Sequence, residues 1–263
     1  MRLILIHAVA LCLYATLTGC VSSEKNTSQP EWRELPLIKD GKVHPDWKHT
    51  GFGQMVVDEG TLRTEPDQRG LGLLVYTKEK LGDCRIRVVY RVKDGRSNSG
   101  AYIRIDEGIL NEFDKELIAV QRDANNRLSD AEVKKMERAS ELEQGPWYAV
   151  HHGFEVQIAD GGDDTHGTGA IYSLARRTGK PVKPPGEWRM MIITLRGTQV
   201  EVELDGVQMC RFDSASKDLP PRKAWHEPKR EHARPTHGYI GLQTHDPGDT
   251  VWFKEVSVAK LKD

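Results

Sequence analysis

Met190–Phe212 reads MMIITLRGTQVEVELDGVQMCRF. Three runs rich in apolar and β-branched residues, Met190–Leu195, Gln199–Leu204 and Val207–Phe212, are punctuated by Arg196-Gly197 and Asp205-Gly206. Asp-Gly between such runs is a strong hairpin signal, because the favoured two-residue turn needs positive φ at both central positions. The stretch predicts a three-stranded antiparallel meander. The same pattern continues outward in both directions. Arg85–Val92 alternates, with Ile86, Val88, Tyr90 and Val92 on one face and Arg85, Arg87, Val89 and Arg91 on the other. Gln54–Asp58 and Thr61–Thr64 flank Glu59-Gly60, and Leu73–Thr77, Tyr239–Thr244 and Val251–Val258 read as further strands. Many short strands without alternating helices predict an all-β sandwich or jelly roll and exclude a parallel α/β fold.

Composition narrows the function classes. The 263 residues include 24 Gly and 13 Pro, which suits a turn-rich chain. With 38 Lys+Arg against 39 Asp+Glu, the net charge of -1 excludes a broadly basic nucleic-acid binder. A mean hydropathy of -0.58 excludes a polytopic membrane protein. The long apolar run Leu3–Leu17 is shorter than the ~20 residues of a spanning helix. Preceded by Arg2 and followed by Leu17-Thr18-Gly19-Cys20, it reads as an export signal ending in a lipobox. The expectation is a signal over residues 1–19, lipid on Cys20, a polar tether over 20–30 and one domain over 31–263. That predicts an exported lipoprotein held at a membrane, periplasmic or on the cell surface. Cys84 and Cys210 are the two cysteines left in the domain, either paired or separately buried.

One segment departs from the strand pattern. Residues 111–144 are highly charged and read as a helical insertion on the edge of the sandwich. Ser129 and Glu132 fit a capping box, with Leu128 and Val133 as its hydrophobic staple. Gln121, Asp123, Asn125, Asn126, Arg127, Ser129 and Glu132 also fall at calcium-loop spacing, but with Gln at the first ligand position and Asn at the turn glycine. A plain turn before a capped helix is the competing reading.

Three strands carry long polar side chains on their second face. Alternation places Ala101, Ile103 and Ile105 inward and Tyr102 and Arg104 opposite. It places Phe154, Val156 and Ile158 inward and Glu155 and Gln157 outward. It sets Ile240, Leu242 and Thr244 against Gly241, Gln243 and His245. The outer face of a sandwich is a place for a sugar groove, although polar outer faces are also ordinary in antiparallel sheets. The Gly- and Asp-rich loop Asp160–Gly169, which contains His166, reads either as a ligand clasp or as a solvated turn. Trp225 reads as a sugar-stacking ring or a packing residue.

These residues also carry a resemblance. Asn98-Ser99-Gly100-Ala101-Tyr102-Ile103-Arg104, Gly153-Phe154-Glu155-Val156-Gln157-Ile158-Ala159-Asp160, Thr168-Gly169-Ala170-Ile171-Tyr172, Pro185-Gly186-Glu187-Trp188 and Gly241-Leu242-Gln243-Thr244-His245 together resemble the 3-keto-disaccharide hydrolase domain family. The resemblance spans roughly Trp32 to Leu261 and implies a concanavalin-like jelly-roll β-sandwich. It also implies a chemistry. A sugar oxidised at its third carbon has an acidified hydrogen on the second, so a base forms an enolate that expels the anomeric substituent, and water then adds back. Under that resemblance His245 is the base, Arg104 the enolate donor and Glu155 an acid/base, with the roles of Glu155 and His245 exchangeable. Tyr102, Gln157, Gln243, Asp160 and His166 hold the sugar. A divalent cation on Glu155, Asp160 and His245 is a second route. The alternative from another class is a non-catalytic carbohydrate-binding module on the same fold.

Overall fold

The computed structural model describes residues 30–261, so the expected signal, Cys20 and nearly all of the tether lie outside the described residues. In chain order the strands are β1 (Arg33–Glu34), β2 (Ile38–Lys39), β3 (Lys42–Val43), β4 (Trp47–Gly51), β5 (Gln54–Asp58), β6 (Thr61–Glu65), β7 (Gly72–Leu81), β8 (Cys84–Val92) and β9 (Asn98–Ile105). A 3-10 turn (Glu107–Leu110) and three helices follow, α1 (Lys115–Ile118), α2 (Asp130–Glu141) and α3 (Pro146–His152). The remaining strands are β10 (Phe154–Ala159), β11 (Arg189–Arg196), β12 (Gln199–Leu204), β13 (Val207–Asp213), β14 (Gly238–Thr244) and β15 (Val251–Lys260).

Two sheets form the sandwich. One runs β13-β12-β11-β8-β15-β6-β5 with β1 beside β15, and the other runs β10-β9-β14-β7-β4. All their pairings are antiparallel. Strands distant in sequence sit side by side, β8 between β11 and β15 and β14 between β9 and β7, which is the crossed connectivity of a jelly roll. The meander expected over residues 190–212 is β11-β12-β13, and Asp205 and Gly206 both take positive φ in its second turn. The predicted alternation of β8 is realised: Ile86, Val88, Tyr90 and Val92 are buried between the sheets. They meet Ile103, Val156, Ile240 and Leu242 from the facing sheet. Each fully buried aliphatic side chain contributes roughly 1.5–3 kcal/mol, so this layer carries the fold.

The cysteines are free and buried. Cys84 on β8 and Cys210 on β13 are three strand spacings apart in one sheet, about 14 Å at the usual spacing and too far to bridge.

The insertion differs from expectation in length and position. Helical structure begins at Glu107 and ends at His152, and α3 had no counterpart in the sequence reading. Nor does the insertion lie on the sandwich edge. Ile109, Ile118, Ala139, Trp147 and Val150 pack on Leu73, Val75, Tyr102 and Ile105, the outward residues of β7 and β9. The physical reason is that this half of the outer face is apolar and needs cover. The Ser129 cap forms, accepting from Glu132 N–H at 3.3 Å, but Glu132 Oε2 turns to Gln121 N–H at 3.0 Å instead of closing the box. Asp123 Oδ1 is likewise occupied by the N–H groups of Asn125 and Arg127, so the plain turn before a capped helix describes this stretch.

Candidate active site

The other half of that outer face is polar. Because β9 lies between β10 and β14, outward side chains from three strands form one patch. Tyr102 is in register with Glu155 on one side and Gly241 on the other. Gly100 is the neighbour that makes room: a Cβ there would stand 2.3 Å from Glu155 Oε1 and 2.7 Å from its Cγ. Glu155 therefore lies flat against the sheet, 7% exposed.

Its surroundings set its proton affinity. Burial pushes the carboxyl up to about 7, and the hydrogen bond from Tyr102 and the nearby His245 pull against that rise. The Tyr102 hydroxyl donates to Oε2 at 2.7 Å and itself accepts from Gln243 Nε2 at 3.3 Å.

His245 directly follows β14 and is held from both sides. Asn98 Nδ2 donates to its Nε2 at 3.1 Å, and Asn98 Oδ1 accepts from Gln157 Nε2 at 3.0 Å. That network leaves Nδ1–H to donate to Asp249 Oδ2 at 2.9 Å. The ring so held presents Nε2 as an acceptor, the tautomer a base needs. Burial opposes its charge, but the Asp249 hydrogen bond with the fields of Asp246, Asp249 and Glu155 outweighs burial and raises the pKa.

These groups floor a cleft of about 660 Å³. Its apolar wall comes from the insertion and the long β13–β14 loop, where Trp147 and Trp225 meet with ring centres 5.4 Å apart. Beside Trp225, the His226 Nδ1 lies 2.8 Å from the Tyr172 hydroxyl. Gly161, Gly162 and His166 form a rim, with Arg96 beside the floor. Gln157 Oε1 and Gln243 Oε1 are buried without a hydrogen-bond partner among the described residues. Buried amide oxygens left open on a cleft floor are acceptors waiting for donors, which sugar hydroxyls supply.

Seven of the residues singled out in the sequence thus share the cleft: Tyr102, Glu155, Gln157, His166, Trp225, Gln243 and His245. Two do not. Arg104 has φ 53°, a left-handed residue within a strand. Tyr239 pairs with Ile105 and Gly241 with Tyr102, so Ile103 and Arg104 together oppose Ile240 in a β-bulge. The bulge inverts the alternation: Ile105 goes outward, and Arg104 turns away from the cleft, fully buried, its nearest acid Asp83 at 3.9 Å. Asp160 is the second. Its carboxylate takes two 2.7 Å hydrogen bonds from Arg189 and one of 2.8 Å from Thr168 Oγ1, clamping the end of β10 to the start of β11. Asp160 is committed to Arg189, and the trio Glu155, Asp160 and His245 does not come together at metal-ligand spacing: among the described residues the one cluster that does lies elsewhere.

Sequence reasoning missed Asn98, Asp249, Tyr172 and His226 as site residues. Asn98 and Tyr172 stood inside quoted motifs, and Asp249 follows His245 by four residues in a turn.

An antiparallel jelly-roll sandwich with a polar cleft on one outer sheet face defines a lectin-like, concanavalin-type domain. The chain belongs to the family described as the 3-keto-alpha-glucoside-1,2-lyase-like domain, which it matches over residues 31–259. No curated protein matches it by sequence. Among crystal structures, a candidate glycosyl hydrolase from Parabacteroides distasonis is 21% identical with a TM-score of 0.56, covering 88% of this chain and 100% of that one. A second from the same organism is 19% identical with a TM-score of 0.55, covering 84% and 91%. A carbohydrate-binding module from Bacillus subtilis is 12% identical with a TM-score of 0.48, covering 86% and 100%. At these identities the likeness to the two candidate hydrolases is one of fold.

Proposed function

We propose that this domain cleaves 3-keto-glycosides by elimination followed by hydration, with His245 as base and Glu155 as acid. The observation that carries the reading is a buried carboxyl held near pKa 7 on the same cleft floor as an Asp-oriented imidazole. Such a pair places a proton acceptor and a proton donor at near-neutral pH without the two carboxylates of an ordinary glycosidase.

His245 Nε2, giving up its hydrogen bond from Asn98, takes the proton from the second carbon of the sugar, and the C–H pair moves into an enolate on the third-carbon oxygen. The enolate collapses to a double bond between the first and second carbons as the anomeric C–O bond breaks. Glu155 gives its proton to the departing alcohol oxygen. Water then adds across the double bond, hydroxyl to the first carbon and hydrogen to the second, and the net result is hydrolysis. Gln157 and Gln243 receive sugar hydroxyls on their open amide oxygens. With Arg104 turned away, donors to the enolate oxygen come from the amide and hydroxyl groups of the cleft.

A binding module on the same fold needs a groove and aromatic rings, but not a carboxyl buried against its own ionisation. The test is hydrogen exchange at the second carbon of a 3-keto-glucoside in heavy water, followed alongside release of the aglycone. His245→Asn should lose both, whereas Glu155→Gln should keep exchange and lose release. Exchange and release at wild-type rates in both variants would remove catalysis from this pair.

A further inference from the structure

A second polar cluster stands apart from the cleft, where the insertion meets the long loop between β13 and β14. Glu143 lies just after α2, His152 closes α3 and His232 belongs to the loop. A carboxylate oxygen and one nitrogen of each ring all lie within 4.8 Å of one another. Glu143 Oε2 is 2.7 Å from His152 Nε2, and Glu143 Oε1 is 2.8 Å from His232 Nε2. The rings are 4.5 Å apart between centres, and all three residues are partly buried. Three segments of chain therefore bring two imidazoles and one carboxylate to a single point.

We propose that Glu143, His152 and His232 form a binding site for a divalent cation of the zinc class, fastening the loop to the helices. Two imidazoles and a carboxylate suit a borderline ion that accepts nitrogen and oxygen ligands tetrahedrally, with water at the fourth position. In the metal-free cluster each Nε2 carries the proton that it donates to Glu143. Cation binding requires the other tautomer, with the lone pair on Nε2 and the proton on Nδ1. For His152 that proton then points towards Asp106, whose Oδ2 is 3.9 Å from Nδ1, the outer carboxylate that metal-bound imidazoles commonly have. Tyr148 stacks on the His152 ring at 4.1 Å and 12° and donates to Asp106 Oδ1 at 2.6 Å, so ring and outer carboxylate are positioned together.

Lys229 is the competing cation, its Nζ 2.8 Å from Glu143 Oε1. It is also 2.8 Å from the Glu141 carbonyl and 3.7 Å from the Glu141 carboxylate, so it keeps partners when a metal takes Glu143. The loop so fastened carries Trp225 and His226 to the cleft wall, which makes the cation a brace for that wall.

The test is calorimetric titration of the chelator-treated protein with Zn2+ alone, with Co2+ as the spectroscopic probe. One Zn2+ per chain with a Kd of about 1 µM or tighter is expected, together with visible Co2+ bands of tetrahedral intensity. His232→Asn, a loop substitution that leaves the sandwich core intact, should weaken binding by at least about tenfold, and Lys229→Ala should tighten it. Absence of binding at about 100 µM Zn2+, or an unchanged Kd in His232→Asn, overturns the proposal.

Discussion

Tyr102 and Glu155 are a cross-strand pair on β9 and β10, and the phenol donates to the carboxylate across a 2.7 Å contact. The contact favours the ionised form and opposes the burial that lifts the carboxyl to about 7. Tyr102→Phe removes the donor and leaves the burial. Hydrogen bonds to charged groups are worth about 1.5–3 kcal/mol, so the Glu155 pKa should rise by about one to two units. The alkaline limb of the pH–rate profile, set by the acid, should move upward by that amount. A limb that stays in place would mean that this carboxyl is not the titrating acid.

The same carboxyl ties stability to pH. Its pKa of about 7 in the fold stands above the 4.5 of an exposed glutamate. Below that lower value both folded and unfolded chains hold the proton, and the group is neutral in its effect. Between the two values the unfolded chain releases its proton first, so the fold loses stability as pH rises. Above about 7 the whole penalty, about 3 kcal/mol, is present. Glu155→Gln removes it. The variant should melt with the wild type near pH 4 and several degrees above it at pH 8, while losing aglycone release. Calorimetric scans at the two pH values check this, and a melting difference independent of pH would refute it.

Asp249 acts on the reaction through His245. Its carboxylate accepts from Nδ1–H and raises the imidazole pKa. Asp249→Asn offers an amide that also supports the wrong tautomer, with the proton on Nε2 and none free to accept. The rate of exchange at the second carbon should fall by about 100-fold or more, with KM little changed. The His245 ring should titrate lower by NMR. Wild-type exchange with a lowered ring pKa would show that tautomer control is not needed.

How much of this was legible in the sequence follows from what period-two reading can see. The meander and the outward placement of Glu155, Gln157 and Gln243 depend on alternation and on turns that require positive φ, and both are local properties. Arg104 defeated that reading because one left-handed residue next to the end of β9 reverses the faces there, and nothing in the residue's type announces it. Asp160 defeated it differently. A carboxylate at a strand end reads as available until its partner is known, and Arg189 is 29 residues away. Helix α3 has only seven residues, too few for a helical period to stand out, although Gly145-Pro146 marks its start. The insertion was seen, but its place over the apolar half of the sheet depends on which outward residues β7 and β9 present together. That is a property of the pairing of strands and not of any one segment.

The Asp160–Arg189 clamp makes the last prediction. Arg189 is 1% exposed and donates through both terminal nitrogens to the carboxylate. Removing one member of such a pair leaves the other buried without its counter-charge, which costs about 3–5 kcal/mol. Asp160→Asn should lower the melting temperature by several degrees and loosen the turn that carries Gly161, Gly162 and His166 to the cleft rim. At temperatures where the variant remains folded, exchange at the second carbon should retain its maximal rate, with a raised KM as the sign of a loosened rim. A sugar-holding or cation-holding Asp160 makes the opposite forecast, with activity lost at unchanged melting temperature. Both the sequence pattern and the family resemblance allowed that role. The two hydrogen bonds from Arg189 assign the carboxylate to the frame, and the melting curve with the KM-against-kcat comparison separates the two.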